Sequence, residues 1–439
     1  MSFKSMLSHP SRLMGSHRSL MSAFAGVGFL KLVSVAASVL TTVVLARLLG
    51  PEHLGAYAFA LSLASMLVLP LLQGLPTLIL REVAKAPTAL RSATAASLMR
   101  FADRLSVGLA LLAAAIVGLL VLLQVPGMAT QRPWFTILSA LWPIVMAAAL
   151  FRGSVVRAYG GAVAGQLPDL LIRPLVFLVF LGALWLAPIE WRTAASAMSL
   201  NLLAALIALA LAIVLMRRCA GFEVLGHSPA LPERRWFGAL LPLSVVGGLQ
   251  LVNSQVDLVA LGLLAPSQEV GVYKIASTLA LQVSFALTVV NAVVAPRFAA
   301  LYQQGKIAEL RRVNRMGAGA SFTAGAVVVL IYVVFGRQLI SLTVGDAYLP
   351  AFMPLLILSA AHLATLWAGT TNILLNMIGR ERDVLASALA SMAANVVLNW
   401  LLIPRMGMTG AAIGMAASLV VWRMLLSVYV NLRLESRPQ

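Results

Sequence analysis

Charge is scarce in this chain of 439 residues: Asp, Glu, Lys and Arg make up 10% of it, against 61% hydrophobic residues. So little polar surface cannot cover a water-soluble globule of that length, and the composition points to a bilayer. Cysteine is scarcer still. The single Cys219 excludes an intramolecular disulfide and a thiolate metal cluster, and it is expected to be a reduced spectator at the cytoplasmic end of a span. No CxxC, HExxH, GxSxG or Walker loop occurs. Long polar connections are missing as well, the largest running over about residues 217–236. Acids are the rarest charged class, 14 Asp and Glu against 32 Lys and Arg.

What the chain does have is apolar windows. About 20 residues cross roughly 30 Å of hydrocarbon as a helix. With Pro, Gly and charge as punctuation, twelve spans are expected, near 24–48, 54–80, 105–125, 134–156, 166–187, 192–216, 237–264, 270–296, 317–336, 350–378, 384–403 and 409–431. The basic start of the chain runs directly into the first apolar stretch, which reads as an uncleaved span. The predicted fold class is therefore an all-α integral membrane protein. The expected divisions are a cytoplasmic N-terminal segment (1–23), an N-lobe (24–218), a cytoplasmic linker (219–236), a C-lobe (237–431) and a cytoplasmic tail (432–439).

Basic residues crowd alternate connections, as in Arg81, Lys85, Arg91, Arg100 and Arg104, then Arg217, Arg218, Arg234 and Arg235, then Arg297, Lys306, Arg311, Arg312 and Arg315. The opposite connections hold only Arg47, Arg132, Arg192, Arg337 and Arg405. Short basic loops resist translocation, so both termini are placed in the cytoplasm. The net charge of +18 is spread over loops between apolar spans, which favours anionic lipid headgroups over nucleic acid as its partner.

The chain also repeats itself. ARLLGPEHLGAY at 46–57 is echoed by LGLLAPSQEVGVY at 261–273, and Gly55, Tyr57 and Arg81 match Gly271, Tyr273 and Arg297 at one offset of 216. With seven Tyr in the chain, such a match is informative. The offset contains six expected crossings, an even number. The halves are therefore read as parallel repeats about an axis along the membrane normal, two pseudo-symmetric six-helix lobes around a central cavity.

At this point the stretches ARLLGPEHLGAYAFALSLASM and NVVLNWLLIPRMGMTGAAIGMAASLV resemble the polysaccharide exporter family, bacterial flippases for lipid-linked oligosaccharides such as those of O-antigen, capsule and exopolysaccharide. The resemblance covers roughly residues 20–430, within the superfamily that also holds multidrug antiporters. It implies a twelve-helix alternating-access transporter of the bacterial inner membrane, not an enzyme. The implied substrate is an undecaprenyl-diphosphate-linked glycan, moved to the outer leaflet with membrane lipids around it and polysaccharide polymerase machinery as a further partner. No cofactor is expected beyond a coupling H+ or Na+.

Intramembrane charge gives the candidate site. A charge at a helix centre costs about 2.5–3.5 kcal/mol on insertion scales, so it usually faces a polar cavity or a partner. Lys31, Arg173, Lys274 and Arg423 are the cations inside spans, and they suit a diphosphate, Arg by its planar fork and Lys as a point charge. Each has a plainer reading. Lys31 and Lys274 lie within snorkelling range of an interface, and Arg173 stands four residues after Asp169, as in a neutralised helix pair. Asp257 is the one clearly intramembrane acid, a candidate coupling site or a salt-bridge partner of Lys274. Gln250, Asn253 and Asp257 share a stripe, and Gln73, Asn291 and Asn372 are further polar candidates, with interhelical hydrogen bonding the commoner use. His362 offers a titratable ring for coupling or a packed neutral one. Gly410 and Gly414 read as close helix packing, and Pro70, Pro76 and Pro354 as kinks. The alternatives are a cation-coupled multidrug antiporter, expected to be richer in acids and aromatic walls, and a glycan polymerase or ligase, expected to carry a sizeable outer loop.

Overall fold

The computed structural model describes residues 17–123, 133–220, 234–288, 290–291, 294, 298, 301, 304, 306–367, 369, 371–377 and 380–435. Among these residues the regular structure is helical throughout, with no strand. In hydrocarbon no water is at hand for free N–H and C=O groups, so a chain this apolar satisfies its backbone within each segment. Large side chains such as Leu111, Val179, Leu186, Leu330 and Trp400 remain exposed on these helices, as befits surfaces that meet acyl tails.

In order, the long helices are α1 (His17–Leu67), α2 (Leu75–Lys85), α3 (Arg91–Leu122), α4 (Pro133–Ala158), α5 (Arg173–Leu186), α6 (Ala194–Ala220) and α7 (Arg234–Leu264). They continue with α8 (Ser267–Leu281), α9 (Ile307–Thr343), α10 (Phe352–Trp367), the short α11 (Thr371–Met377) and α12 (Glu381–Glu435). Nine stretches among the described residues are long and apolar enough to cross a membrane. Two of them, Gly26–Leu67 and Arg382–Val430, are about twice the length one crossing needs. Each breaks at a glycine in the left-handed region, Gly50 (φ 70°) in α1 and Gly407 (φ 55°) in α12, a conformation that costs other residues steric strain.

The chain forms two compact units, 1–49 with 60–251 and 50–59 with 252–439. The division falls inside α7, further along than the expected linker at 219–236, of which residues 221–233 lie outside the described set. The first unit packs α4 against α6 and α3. Its core joins Leu78, Ile79, Leu98, Phe151 and Trp236, and Phe101 meets the rings of Trp236 and Phe237 at 5.6 and 4.9 Å. The second unit packs α10 against α12, α9 and α8.

Within the second unit the two copies of the repeated phrase meet. A Cβ on Gly55 would lie 1.6 Å from the Ser267 carbonyl oxygen, and a Cβ on Gly271 would lie 2.0 Å from that of Pro51. The two contacts exchange under the offset of 216, which carries Pro51 to Ser267 and Gly55 to Gly271. The repeat is thus a packing device: each copy presents the bare backbone that lets the other approach. The same logic holds at the other glycine pair, where Gly410 abuts the Leu402 carbonyl and Gly414 the Asn399 side chain, joining the two arms of α12.

The proline expectations divide. Pro70 opens a loosened π turn (Pro70–Gly74) ahead of Pro76, so the helical hydrogen-bond register changes there. Pro354 produces no such change. It lies in the first turn of α10, where a backbone N–H has no intrahelical partner to lose. The expected span 350–378 also ends early, with α10 closing at Trp367 and Gly369 turning left-handed (φ 69°) before α11.

Candidate functional site

Asp257 is the centre of the most connected polar group. It stands on α7, 4% exposed, and its carboxylate accepts three hydrogen bonds. Asn395 Nδ2 donates to Oδ1 at 2.8 Å, Asn399 Nδ2 to Oδ1 at 3.1 Å, and the Tyr273 hydroxyl to Oδ2 at 3.0 Å. Asn399 Nδ2 also bonds Asn395 Oδ1 at 2.9 Å, and Asn395 reaches Asn253 Oδ1 at 3.4 Å. Asn399 Oδ1 is buried with no hydrogen-bond partner. α7, α8 and the first arm of α12 therefore converge on one carboxylate held by amides and a phenol.

The ion pair with Lys274, one of the two readings open for Asp257, is not formed; the ion pairs found among the described residues lie elsewhere. Tyr273 and Lys274 are consecutive on α8 and point about 100° apart, so only one of them can face Asp257, and it is the tyrosine. Lys274 is partly buried, and its ammonium has no polar partner among the described residues. Asn253 joins the Asp257 group as its stripe suggested, while the Gln250 side chain lies outside the described residues.

Three residues of this group were not singled out from sequence. Tyr273 was read only as a repeat marker. Asn395 and Asn399 lay in the stretch quoted for the family resemblance, and the signal was there: Ser387, Ser391, Asn395 and Asn399 recur at every fourth position of an apolar helix, and all four are fully buried. Such spacing draws one polar line along a helix face.

Arg423 is buried in the second unit, 8% exposed. Its Nη1 donates to the Gly369 carbonyl and to Thr371 Oγ1, both at 2.9 Å, and its guanidinium lies 5.7 Å from the Trp422 ring centre. It therefore bridges the break between α10 and α11, binding carbonyl and hydroxyl instead of a carboxylate. His362 sits on α10 with Nδ1 3.1 Å from Ser284 Oγ. Asn291 carries a buried Oδ1 without a partner among the described residues.

The first unit handles charge differently. Arg173 Nε donates to Asp169 Oδ1 at 3.2 Å, the neutralised pair that the four-residue spacing suggested, with both side chains 24% exposed. Trp142 lies 6.0 Å from the guanidinium. Arg152 reaches Asp103 at 3.4 Å, and Arg91 covers the Tyr159 ring at 5.6 Å. Burial pushes the Tyr159 phenol up, an effect that the Arg91 charge partly offsets. Gln73 is partly buried within the π turn, and Lys31 is exposed on α1 beside exposed Phe29 and Leu32. Of the four expected cations, Lys31 and Arg173 belong to the first unit and Lys274 and Arg423 to the second. Arg297 and most of the terminal segments lie outside the described residues.

Apolar helices of spanning length, with a hydrogen-bonded acid and cations inside them, define a multi-pass membrane protein. The chain belongs to the polysaccharide biosynthesis protein family, whose model matches residues 24–302. Its fold is similar to that of a lipid II flippase, MurJ, in an inward closed conformation, with TM-score 0.72 at 9% identity, covering 94% of this chain and 87% of that one. It is also similar to an inward-facing multidrug resistance MATE family transporter of the MOP superfamily, with TM-score 0.66 at 14% identity and 98% of each chain covered. A MOP superfamily transporter from Pyrococcus furiosus, titled for the reverse polarity of its binding pocket, follows at TM-score 0.55 and 13% identity, again over 98% of each chain. Curated protein sequences offer no match.

Proposed function

We propose that this chain is a flippase that moves an undecaprenyl-diphosphate-linked oligosaccharide from the cytoplasmic to the outer leaflet of the bacterial inner membrane by alternating access, in O-antigen, capsule or exopolysaccharide synthesis. Membership of a polysaccharide biosynthesis family by a chain made of membrane-spanning helices carries this reading. With the two long spans counted as two crossings each at Gly50 and Gly407, and α7 as one more, the proposed number of crossings is twelve. Interior cations support the substrate class, because a diphosphate entering a low-dielectric medium needs compensating charge. Arg173, Lys31 and Lys274 are the proposed headgroup contacts, and Gln73, Gln250, Asn253 and Asn291 the proposed hydrogen-bonding groups for sugar. Arg423 is committed by its two bonds to the α10–α11 break.

Asp257 is the proposed coupling site for H+ or Na+. Asn399 Oδ1, buried and without a partner beside the carboxylate, is the observation that fits a cation there. Asp257, Asn399 and Asn253 would supply oxygen ligands to Na+, the hard-donor set such an ion prefers. A proton would instead reside on the carboxylate. His362 is the second proposed coupling group. Deletion of the gene tests the whole reading: lipid-linked glycan should accumulate in the inner leaflet while surface polysaccharide is lost. Unchanged surface polysaccharide with reduced drug efflux would replace the flippase by a multidrug antiporter.

A further inference from the structure

The first unit contains an arrangement that the positions of single charges did not reveal. The connection after α4 turns at Gly160 (φ 95°) and folds back on the helix it has just left. Gly165 lies so close to Gly153 that a Cβ on either would come within 2.4 Å of the other's carbonyl oxygen, and a Cβ on Gly165 would meet Arg157 Cγ at 2.7 Å. Four residues beyond Gly165 stands Asp169, inside a π turn (Pro168–Ile172), and the next helix starts at Arg173. Asp169 accepts a hydrogen bond from Arg173 and acts electrostatically on Arg157, so one carboxylate serves both guanidinium groups.

The charges of this group do not cancel. Two guanidinium groups share one aspartate, leaving one positive charge. Their bonds are also incomplete: Arg157 Nη2 donates to Ser154 Oγ at 2.6 Å while its Nε is buried without a partner, and Arg173 holds Asp169 through a single N–H. A planar guanidinium is best satisfied by two parallel bonds to an oxyanion. Arg152, on the same helix as Arg157, bonds Asp103 and the Ala148 carbonyl, although its Nε too is buried without a partner among the described residues. π turns recur at functional positions because they displace side chains from the regular helical register. Beyond Arg173, α5 exposes Leu175, Val179 and Leu186, an apolar surface leading away from the charged group.

We propose that Arg157 and Arg173 form a loading site for an isoprenoid diphosphate headgroup, and that Asp169 is its exchangeable counter-ion, displaced when the diphosphate binds. The proposal rests on the flippase reading for its biological ligand and adds Arg157 and Asp169 to it. Asp169 keeps the empty site from trapping other anions, and the diphosphate wins because it brings two phosphoryl groups to two guanidinium forks. The isoprenoid chain lies along the exposed apolar face of α5.

Calorimetric titration of the purified full-length protein in detergent with farnesyl diphosphate, inorganic pyrophosphate and farnesol tests this. Arg157→Ala and Arg173→Ala should each weaken farnesyl diphosphate binding about tenfold, and the two Lys variants about threefold. Asp169→Asn should tighten it about threefold to tenfold, which a merely structural salt bridge would not do. Unchanged or weaker binding by Asp169→Asn, with thermal unfolding near that of the parent, overturns the proposal. So does unchanged binding by Arg157→Ala. Equal affinity for inorganic pyrophosphate and farnesyl diphosphate overturns the lipid assignment, and tight binding of farnesol overturns the anion assignment. Should the binding pattern hold while gene deletion leaves the glycan untouched, the site stands and the flippase reading falls. Should glycan accumulate while these variants bind normally, the reading stands and the site falls.

Discussion

Both copies of the repeated backbone phrase pack within the second unit, and the two units handle charge in opposite ways. In the first, charges are partly exposed and met by other charges, Arg152 by Asp103 and Arg173 by Asp169, at side-chain exposures of 16–52%. In the second, Asp257 and Arg423 are deeply buried and are met by neutral dipoles: amides and a phenol for the acid, a carbonyl and a hydroxyl for the base. Upstream of the repeated phrase the offset is 215, set by Pro51 and Pro266, so Asp257 corresponds to Thr42 and the buried acid has no counterpart in the first half. Duplication preserved the packing and let the chemistry separate. An ion pair that can exchange partners suits recognition of an incoming ion, whereas a carboxylate fixed by dipoles suits a group that takes up and releases a small cation without moving its neighbours.

The largest way to break the comparison is to remove the acid. Asp257→Asn retains the shape of the side chain, so the protein should fold, but glycan transport in proteoliposomes should fall at least about tenfold and lose its dependence on a cation gradient. Asp169→Asn, the corresponding change in the first unit, should leave gradient dependence intact. If Asp257→Asn transports normally, the second unit is no more than a structural network.

Next in size is the glycine seam. A Cβ 1.6 Å from a backbone oxygen cannot be accommodated by a rotamer change. Gly55→Ala and Gly271→Ala should each destabilise the protein by about 3 kcal/mol or more, read as a fall in thermal unfolding temperature in detergent. Gly108→Ala, with nothing within 4 Å of the new atom, should instead stabilise α3 by up to about 1 kcal/mol. Equal effects at Gly55 and Gly108 would deny the repeat its packing role.

How much of this was legible in the sequence follows the kind of physics involved. Long apolar windows specify helices through backbone satisfaction alone, but their ends were less legible: α3 begins at Arg91 and α9 at Ile307, ahead of the expected 105 and 317, because a helix can run on past its apolar window into basic sequence. The repeat was legible because Gly and Tyr are rare enough for coincidence to stand out, yet its use was not: that two glycines touch is a tertiary fact. Asp257 announced itself by its charge in an apolar helix. Its partners did not, since an Asn costs less inside a span and attracts less attention, even though Asn395 and Asn399 carry the four-residue spacing. Lys274 was favoured as partner by charge alone, and the helical rotation between neighbours decided otherwise. Arg157 was not among the sequence candidates because the return of 159–167 onto α4 depends on two bare glycine backbones, which no charge count shows.

Arg423→Met should cost about 2 kcal/mol of stability, because the Gly369 carbonyl and Thr371 hydroxyl lose a charged donor while the methionine retains most of the packing. Export per folded molecule should be largely retained, measured as surface polysaccharide against protein abundance. A selective loss of export at normal abundance would return Arg423 to the list of headgroup contacts.

The smallest effect separates the units by the use of a single hydroxyl. In the first unit the buried serines bond within their own helix, Ser106 to the Ala102 carbonyl at 2.7 Å and Ser139 to that of Phe135 at 2.8 Å. Those carbonyls already accept helical N–H groups, so Ser139→Ala removes a redundant bond and should change stability by less than about 0.5 kcal/mol. Ser391 instead donates to the Ser418 carbonyl at 2.9 Å, across the two arms of α12. Its bond helps to hold the arm carrying Asn395 and Asn399 in register, so Ser391→Ala should cost about 1 kcal/mol. It should also weaken the apparent cation affinity of transport, because the amides around Asp257 lose part of their anchor. Ser391→Thr restores the hydroxyl and should restore the affinity if the added methyl is accepted. A Ser391→Ala variant no different from Ser139→Ala would mean that the polar line along α12 stops at its amides and that the second unit positions its acid by them alone.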